Sequence, residues 1–179
     1  MRPFSRTMPK YQPTQSMPAI IAVVIIVGCI VGCVAFFIWN MPILAVPLAA
    51  LALFAWCSGA KHKAKLLKMM QQRDGQSICE FARAFDRRSV DPYIIRAVYE
   101  GLADYLNLNG ASVPIQPEDD LFNDFQMDED DLDLDLLTEI AFRTGRSLEN
   151  LDENPFTGKV NTARDLVMFF NGQPLSEAG

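Results

Sequence analysis

The residues of this chain best suited to chemistry are the carboxylates of "EDDLDLDLL", residues 129–137. The stretch holds five acidic residues and four leucines and contains no base. Clustered carboxylates can bind a hard cation such as Ca²⁺, or they can form a solvated acidic tract. The interleaved leucines suggest instead the start of a buried helix. These three interpretations make different predictions about function.

A calcium loop is the first interpretation, and the spacing argues against it. A loop that begins at Asp128 places Asp130 third and Glu139 twelfth, as an EF-hand requires. The fifth position is Leu132, and the sixth, where glycine permits the sharp turn, is Asp133. We therefore expect no metal site, only weak surface binding of divalent cations.

The leucine pattern favours a helix. Leu132, Leu134 and Leu136 alternate as in a strand, but the positions of Leu132, Leu136, Leu137 and Ile140 fit one helical face. The apolar pattern continues to a stop at Gly145, which favours a helix that begins at Asp130 or Asp131. Acidic residues there complement the helix dipole.

Other catalytic or ligating residues are sparse. His62 is the only histidine, and it lies in a lysine-rich segment. Of the four cysteines, only Cys79 lies outside the apolar N-terminal runs, and no CxxC motif occurs. A zinc site or histidine-based catalysis is therefore not expected. We predict a protein that is not an enzyme and has no cofactor.

The charge and hydropathy are divided along the chain. Residues 1–73 contain eight Lys/Arg and no acid, whereas all 22 acids follow, for a net charge of −14 in the remainder. Met17–Trp39 and Ile43–Ala60 are apolar runs without charge, and about 20 apolar residues cross a bilayer core. Lysines and arginines flank both runs, and such residues stay cytoplasmic. The sequence predicts a two-span hairpin in a bacterial inner membrane, in contact with lipid, with both termini cytoplasmic.

The first apolar run contains "IVGC" twice, at residues 26–29 and 30–33. This tetrapeptide resembles the cleavage box of bacterial lipoproteins, in which the cysteine is lipidated, so Cys29 or Cys33 is a candidate lipidation site. The alternative is a small-residue face, because Gly28 and Gly32 lie four residues apart and let two helices approach closely. This alternative predicts self-association through Gly28 and Gly32.

The acidic part of the chain is predicted to be all-α, with four main helices. Ser77 and Glu80 have capping-box spacing, Asp91-Pro92 is typical of a helix start, and Thr162 and Asp165 repeat the box. The predicted domains are a basic N-terminus (1–16), the hairpin (17–60), a basic juxtamembrane linker (61–76), an acidic helical domain (77–172) and a tail (173–179).

The order of these elements resembles that of acyl carrier proteins. The stretch "IQPEDDLFNDFQMDEDDLDLDLLTEIAFRTGRSL" is similar to the long loop and second helix of that family, and "NTARDLVMFF" to its last helix. The resemblance covers about residues 91–172 and implies a small helical bundle. The family's serine, which carries phosphopantetheine, aligns with Asp131. A carboxylate cannot accept that group as the serine hydroxyl does, so the resemblance implies a carrier fold without its prosthetic-group site.

The acidic second helix of the carrier family docks onto basic partner enzymes. The corresponding segment of this chain is more acidic still. Between Glu118 and Glu139 there are eleven acids and no base. Such a field orients a basic protein partner and disfavours nucleic acid. The predicted docking residues are Asp130, Asp131, Asp133, Asp135 and Glu139. The alternatives are charges that only keep the surface solvated, a carrier modified at an atypical residue, and a small accessory subunit of a membrane complex.

Overall fold

A computed structural model describes most of the chain. The described residues are 8, 17–40, 43, 45–86, 88–108, 110–128, 132, 136–149 and 151–176; the side chains of residues 17–20, 37, 38 and 45 are not among them. Within these ranges the elements are helical, with six α-helices and no strand, which confirms the predicted all-α class. The chain divides into two compact units. One comprises Gln12–Lys63, and the other comprises Met1–Tyr11 with Ala64–Gly179.

The unit Gln12–Lys63, called here the N-terminal unit, contains helix α1 (Met17–Asn40) and the first part of helix α2 (Ala45–Gln72). Helices therefore occur over both predicted apolar runs. Among the described residues, however, none of the helices combines the length and the apolar character that a membrane span requires. The predicted transmembrane hairpin is thus not supported by the structure.

The second unit, called here the C-terminal unit, contains the end of α2, three short or medium helices and a final helix. These are α3 (Ile78–Arg83), α4 (Pro92–Tyr105), α5 (Leu137–Thr144) and α6 (Ala163–Gly172). A short 3₁₀ helix covers Leu151–Glu153. Helix α4 lies at the centre of the unit, since it packs against α3, α5 and α6.

The helix starts follow the predicted capping chemistry. Ser77 caps α3 and Thr162 caps α6, each in a capping box with the acid three residues later. Asp91 caps α4 and accepts a hydrogen bond from the backbone N–H of Tyr93 at 2.9 Å. Helix α5 ends at Gly145, whose φ of 64° lies in the left-handed region that glycine adopts readily. These local signals are confirmed.

The core of the C-terminal unit is formed by apolar side chains of α3–α6 and of the connecting loop. Phe81, Ile94, Val98, Ile140 and Phe170 are all buried. The loop before α5 is packed, as its apolar residues predict, because Ile115, Leu121 and Phe125 are buried as well. Leu66 and Met69 of α2 also belong to this core.

One side chain of the predicted α4 stripe lies elsewhere. The positions of Ile94, Val98, Leu102 and Tyr105 in the sequence fit one helical face, but Tyr105 is 40% exposed. The next residue, Leu106, is buried in its place. Tyr105 is the last residue of α4 and Leu106 is its C-cap, so the buried stripe closes with Leu106 at the helix end.

Candidate interaction surface and its charge networks

Most of the predicted docking residues lie outside the described residues. Asp130, Asp131, Asp133 and Asp135 are in this group, as is the predicted helix start at Asp130 or Asp131. The described part of helix α5 begins at Leu137, and Leu136 before it already has helical backbone angles. Docking through the four aspartates remains a prediction from the sequence.

Some apolar residues around these aspartates are described, and they support the helical interpretation. Leu132, Leu136 and Ile140 are buried, and they recur every four residues, as one face of a helix does. The backbone N–H of Leu132 donates to the carbonyl oxygen of Asp128 at 3.2 Å, four residues earlier. The leucines of "EDDLDLDLL" that the structure describes thus contribute to the core or pack against it.

Glu139 is the one predicted docking residue that the structure describes, and it is bonded within the protein. Its carboxylate accepts from the guanidinium of Arg143, one helical turn later on α5. Arg143 is almost fully buried, and its Nη2 also lies 2.9 Å from Oδ2 of Asp104 on α4. Its Nη1 is 3.6 Å from Oε2 of Glu100. Glu139 therefore acts in a network that joins α4 to α5.

The protonation chemistry of this network is unambiguous. Burial by itself lowers the pKa of Arg143, but the hydrogen bonds that Arg143 donates to Asp104 and Glu139, together with the negative charges of these carboxylates, outweigh it and raise that pKa above its ordinary value. Arg143 is therefore a permanent cation. Its three carboxylate partners keep part of their surface in water, whereas the guanidinium does not. The carboxylates thus shield the guanidinium of Arg143 from solvent.

A second network holds the acidic loop against α2. Arg73 makes a two-pronged pair with Asp119, with both N–O distances at 2.6 Å, and it also donates to the carbonyl oxygen of Pro114 at 2.9 Å. Asp119 is 4% exposed, and its Oδ2 accepts the backbone N–H of Gln116 at 2.7 Å. A buried carboxylate with this set of donors fixes the loop in one conformation.

Neighbouring acids of the loop are also paired with bases. Lys65 Nζ lies 3.1 Å from Oδ1 of Asp124 and donates to the carbonyl oxygen of Asn123 at 2.6 Å. Arg164 of α6 binds Glu118 and the carbonyl oxygen of Ala84. Several charges that the sequence presents as one acidic field are thus neutralised inside the C-terminal unit.

Asp120 has a local structural role in the same loop. Its carboxylate accepts the backbone N–H groups of Asn123 at 2.8 Å and of Phe122 at 2.9 Å. The hydrogen bonds from Asn123 are the main reason that the pKa of Asp120 is lowered from its ordinary value. Asp120 thus stabilises a turn that carries Phe122.

These pairings could not be found from sequence spacing. Arg73 and Asp119 are 46 residues apart, and Lys65 and Asp124 are 59 residues apart. The basic segment after the second apolar run was interpreted as a membrane flank, because such flanks are typical of inner-membrane proteins. Two of its bases instead bind the acidic loop.

An apolar cavity of about 360 Å³ lies beside this turn. Phe122, Leu132, Leu137 and Phe169 form much of its wall, and Leu151, Thr157, Gly158, Val160 and Asn161 complete it. The described residues of the wall carry no charged side chain. Its size and lining suit a small apolar group.

Metal-binding and thiol chemistry are sparse in the described residues. No group of three His, Cys, Asp or Glu side chains there could hold a metal ion. The four cysteines are free thiols, and each is exposed in the structure.

Comparison of the chain with protein-family models, with curated proteins and with solved structures finds no match. The interpretation of the site therefore depends on its own geometry and sequence.

Proposed function

We propose that this chain is a non-catalytic protein-interaction module in which the C-terminal unit docks a cytoplasmic partner and the N-terminal unit holds it at a membrane. The observation that carries this proposal is the opposite placement of apolar side chains in the two units. The C-terminal unit has a closed core, whereas the described side chains from Ile21 to Phe36 are exposed. An apolar helix surface of this extent needs a cover, and lipid is the simplest one.

The membrane part of the proposal extends beyond the described side chains. The run from Ile21 to Phe36 is shorter than the about 20 residues that cross a bilayer core, so the span would include the flanking residues of Met17–Asn40. The exposed Trp39 and Trp56 suit the aromatic belt at a membrane surface. We place both termini in the cytoplasm, because the basic segments flank the apolar runs on that side.

Thiol labelling tests the membrane anchor in the intact chain. All four cysteines are exposed in the protein itself, so protection from a membrane-impermeant maleimide would report lipid and not protein burial. In opened native membranes we expect Cys79 to react at once. We expect Cys29, Cys33 and Cys57 to react only after detergent is added. Equal labelling of all four cysteines before detergent would reject the anchor.

The docking part of the proposal assigns Asp130, Asp131, Asp133, Asp135 and Glu139 to contact with a basic partner surface. The support is the charge of the sequence between Glu118 and Glu139, together with the resemblance to acyl carrier proteins. Because Glu139 is paired with Arg143, it contributes less than the aspartates to the negative charge that a partner would meet. We therefore expect substitution of the aspartates to weaken docking more than substitution of Glu139.

Crosslinking in native membranes, followed by identification of the crosslinked protein, tests docking. The variant Asp131→Asn, Asp133→Asn, Asp135→Asn should lose the crosslink to its partner. A matched control removes the same number of charges elsewhere, with Glu149→Gln, Asp152→Asn and Glu153→Gln, and it should keep the crosslink. Equal recovery from both variants would reject docking through the aspartates.

A second candidate function is favoured by the apolar cavity. Leu132, directly after Asp131, lines this cavity, so a chain attached near that position could enter it. This candidate is a carrier modified at an atypical residue. Intact mass after coexpression with a phosphopantetheinyl transferase tests it, and an unmodified mass rejects it.

Self-association through α1 is a further partner proposal. A Cβ added at Gly28 or at Gly32 would meet no atom within 4 Å, so this face is uncovered in the monomer. Replacement of both glycines by isoleucine should abolish a dimer crosslink in membranes. An unchanged dimer yield would reject this contact.

A further inference from the structure

The basic residues of helix α2 have two different surroundings. Lys65 and Arg73 lie in the C-terminal unit, and each is paired with a carboxylate of the acidic loop. Lys61 and Lys63 lie in the N-terminal unit, and both are exposed. Neither of these two lysines pairs with an acid of the described residues. The ion pairs within the protein therefore leave Lys61 and Lys63 available for an external anion.

Lys61 and Lys63 carry all the formal charge of the N-terminal unit. Residues 12–63 contain no Asp, Glu or Arg and no other lysine. The first acid of the whole sequence is Asp74, which comes after the end of α2. The unit therefore has two positive charges and no negative charge, and both positive charges lie on α2.

The two lysines directly follow an exposed apolar surface. Residues 43–60 contain no charged side chain, and the described side chains from Val46 to Ala60 are exposed. Helix α2 runs without a break from Ala45 to Gln72, so the apolar surface and the lysines belong to one helix. A partner that covers this helix must match an apolar surface and, directly beside it, two ammonium groups.

The spacing along α2 matches the layers of a lipid leaflet. Lys61 and Lys63 lie about 1.5 Å and about 4.5 Å beyond Ala60 along the helix axis, because each residue adds about 1.5 Å. The two headgroup layers add about 10–15 Å to a hydrocarbon core of about 30 Å, so each layer is about 5–8 Å deep. If the hydrocarbon core ends near Ala60, both lysines lie at the depth of the headgroups.

We propose that Lys61 and Lys63 bind the headgroups of acidic phospholipids, so that the N-terminal unit prefers acidic to neutral lipid at this part of α2. The inference depends on the proposed membrane anchor and deepens it by naming the lipid class. Each lysine ammonium has three hydrogen-bond donors and is attracted by the negative potential of an acidic lipid surface. The apolar stem of a lysine lies along the helix while its ammonium reaches the headgroups.

Other anionic partners match only part of this surface. A nucleic acid supplies phosphates, but it leaves the apolar side chains from Val46 to Ala60 in water. An acidic protein segment supplies carboxylates, but it must also cover an apolar helix surface about 22 Å long. An acidic phospholipid combines an anionic headgroup with acyl chains, so one layer of lipid matches both parts of the surface.

Quenching of tryptophan fluorescence by brominated lipid measures this preference in the full chain. Trp56 is 80% exposed. It precedes Lys63 by seven residues, about two helical turns, so both lie on one face of α2. The variant Trp39→Phe keeps Trp56 as the single tryptophan. It is reconstituted in mixed bilayers of phosphatidylcholine and phosphatidylglycerol in which the acyl chains of one lipid are brominated, and the quenching gives the relative affinity of the two lipids near Trp56.

We expect phosphatidylglycerol to bind near Trp56 about fivefold more tightly than phosphatidylcholine, the ratio expected for one lysine close to an acidic lipid surface. Lys61→Gln, Lys63→Gln should reduce this ratio to about one, whereas Lys61→Arg, Lys63→Arg should preserve it. The matched control Arg88→Gln, Lys159→Gln removes two exposed positive charges from the C-terminal unit and should leave the ratio unchanged.

A second reporter tests whether the preference is local. The variant Trp56→Phe leaves only Trp39, which is 89% exposed, and no charged residue occurs between Lys10 and Lys61 in the sequence. We expect the two brominated lipids to quench Trp39 equally. A preference of the same size at both tryptophans would overturn the assignment to Lys61 and Lys63.

The remaining outcomes separate this inference from the membrane anchor itself. Quenching of Trp56 by both lipids without a preference would overturn the inference and leave the anchor in place. An unchanged ratio after Lys61→Gln, Lys63→Gln, or an equal loss in the control variant, would also overturn it. If neither brominated lipid quenched either tryptophan, the anchor and the inference would both be rejected.

Discussion

The two units of this protein place the same residue types in opposite environments. In the N-terminal unit, Ile21 and Ile25 are each more than half exposed, whereas in the C-terminal unit Ile94 and Ile140 are buried almost completely. The difference lies in the arrangement of polar residues around them. Helix α1 has apolar residues on all faces, whereas α4 and α5 each have one apolar stripe.

Charges follow the same division. In the C-terminal unit, bases from α2, α5 and α6 neutralise acids of the loop and of α4. Helix α1 carries no charge with which to do this. An apolar side chain contributes to the stability of the fold only where a packed core covers it, and a charge contributes substantially only where it is desolvated and paired.

The largest expected effect comes from matched isoleucine truncations in the two units. Ile140→Ala should lower the free energy of unfolding of the C-terminal unit by about 2–5 kcal/mol, because it removes a fully buried side chain. Ile25→Ala should change it by less than about 0.5 kcal/mol, because that side chain is already exposed. Urea unfolding of the full chain, followed by circular dichroism, measures both. Equal effects would break the comparison between the units.

The next effect separates two adjacent acids of the loop. Asp119→Ala should destabilise the C-terminal unit by about 3 kcal/mol, since it leaves Arg73 largely buried without its carboxylate. Glu118→Ala removes an acid that is paired with Arg164 but mostly exposed, and should cost less than about 1 kcal/mol. Thermal unfolding of the two variants gives the difference. A similar loss of stability in both variants would mean that burial does not determine how much these ion pairs stabilise the protein.

Glycine substitutions sharpen the comparison at the level of packing. A Cβ at Gly101 of α4 would lie 3.2 Å from Cγ1 of Ile140 and 3.3 Å from Cδ1 of Leu136. Gly101→Val should therefore lower the free energy of unfolding by about 1–3 kcal/mol, because the added side chain overpacks the contact between α4 and α5. A Cβ at Gly28 would meet nothing within 4 Å, so Gly28→Val should leave the stability of the C-terminal unit unchanged. A stable Gly101→Val variant would show that α4 and α5 can separate without cost.

The smallest effect is the acid titration of Asp120. Its pKa is lowered in the folded protein, chiefly by the hydrogen bonds from Asn123. A carboxylate whose pKa is lower in the folded than in the unfolded protein stabilises the fold at a pH above its unfolded pKa. This stabilisation is lost as the pH falls through its folded pKa. We expect NMR titration to give Asp120 a pKa below the ordinary aspartate value of about 3.9. Asn123→Ala removes the side-chain hydrogen bond to Asp120 and keeps the backbone one, so it should move the pKa only part of the way back toward that value. No change would contradict a contribution from the Asn123 side chain.

Local features of the fold were predictable from sequence. The capping residues Ser77, Asp91 and Thr162 were identified because their hydrogen bonds are made within three residues. The buried leucine stripe was identified because Leu132, Leu136 and Ile140 recur with helical period. The exposure of Tyr105 was missed, because periodicity does not reveal the residue at which a helix ends.

The site was less predictable than the fold. Glu139 was predicted to face a partner, but its carboxylate is bonded to Arg143. Asp119 was counted with the exposed acidic field, but it is buried against Arg73. Neither pairing follows from the sequence, for one reason: a charge pattern does not reveal which base the fold will bring beside an acid.

The sequence by itself determined the helical class, the caps that start α3, α4 and α6, the glycine that ends α5 and the division of charge along the chain. Each of these depends on interactions between residues a few positions apart. Only the tertiary structure decided that Arg143 joins α4 to α5 and that Arg73 and Lys65 pair with Asp119 and Asp124 of the acidic loop. These contacts depend on the packing of distant segments, which local spacing does not encode.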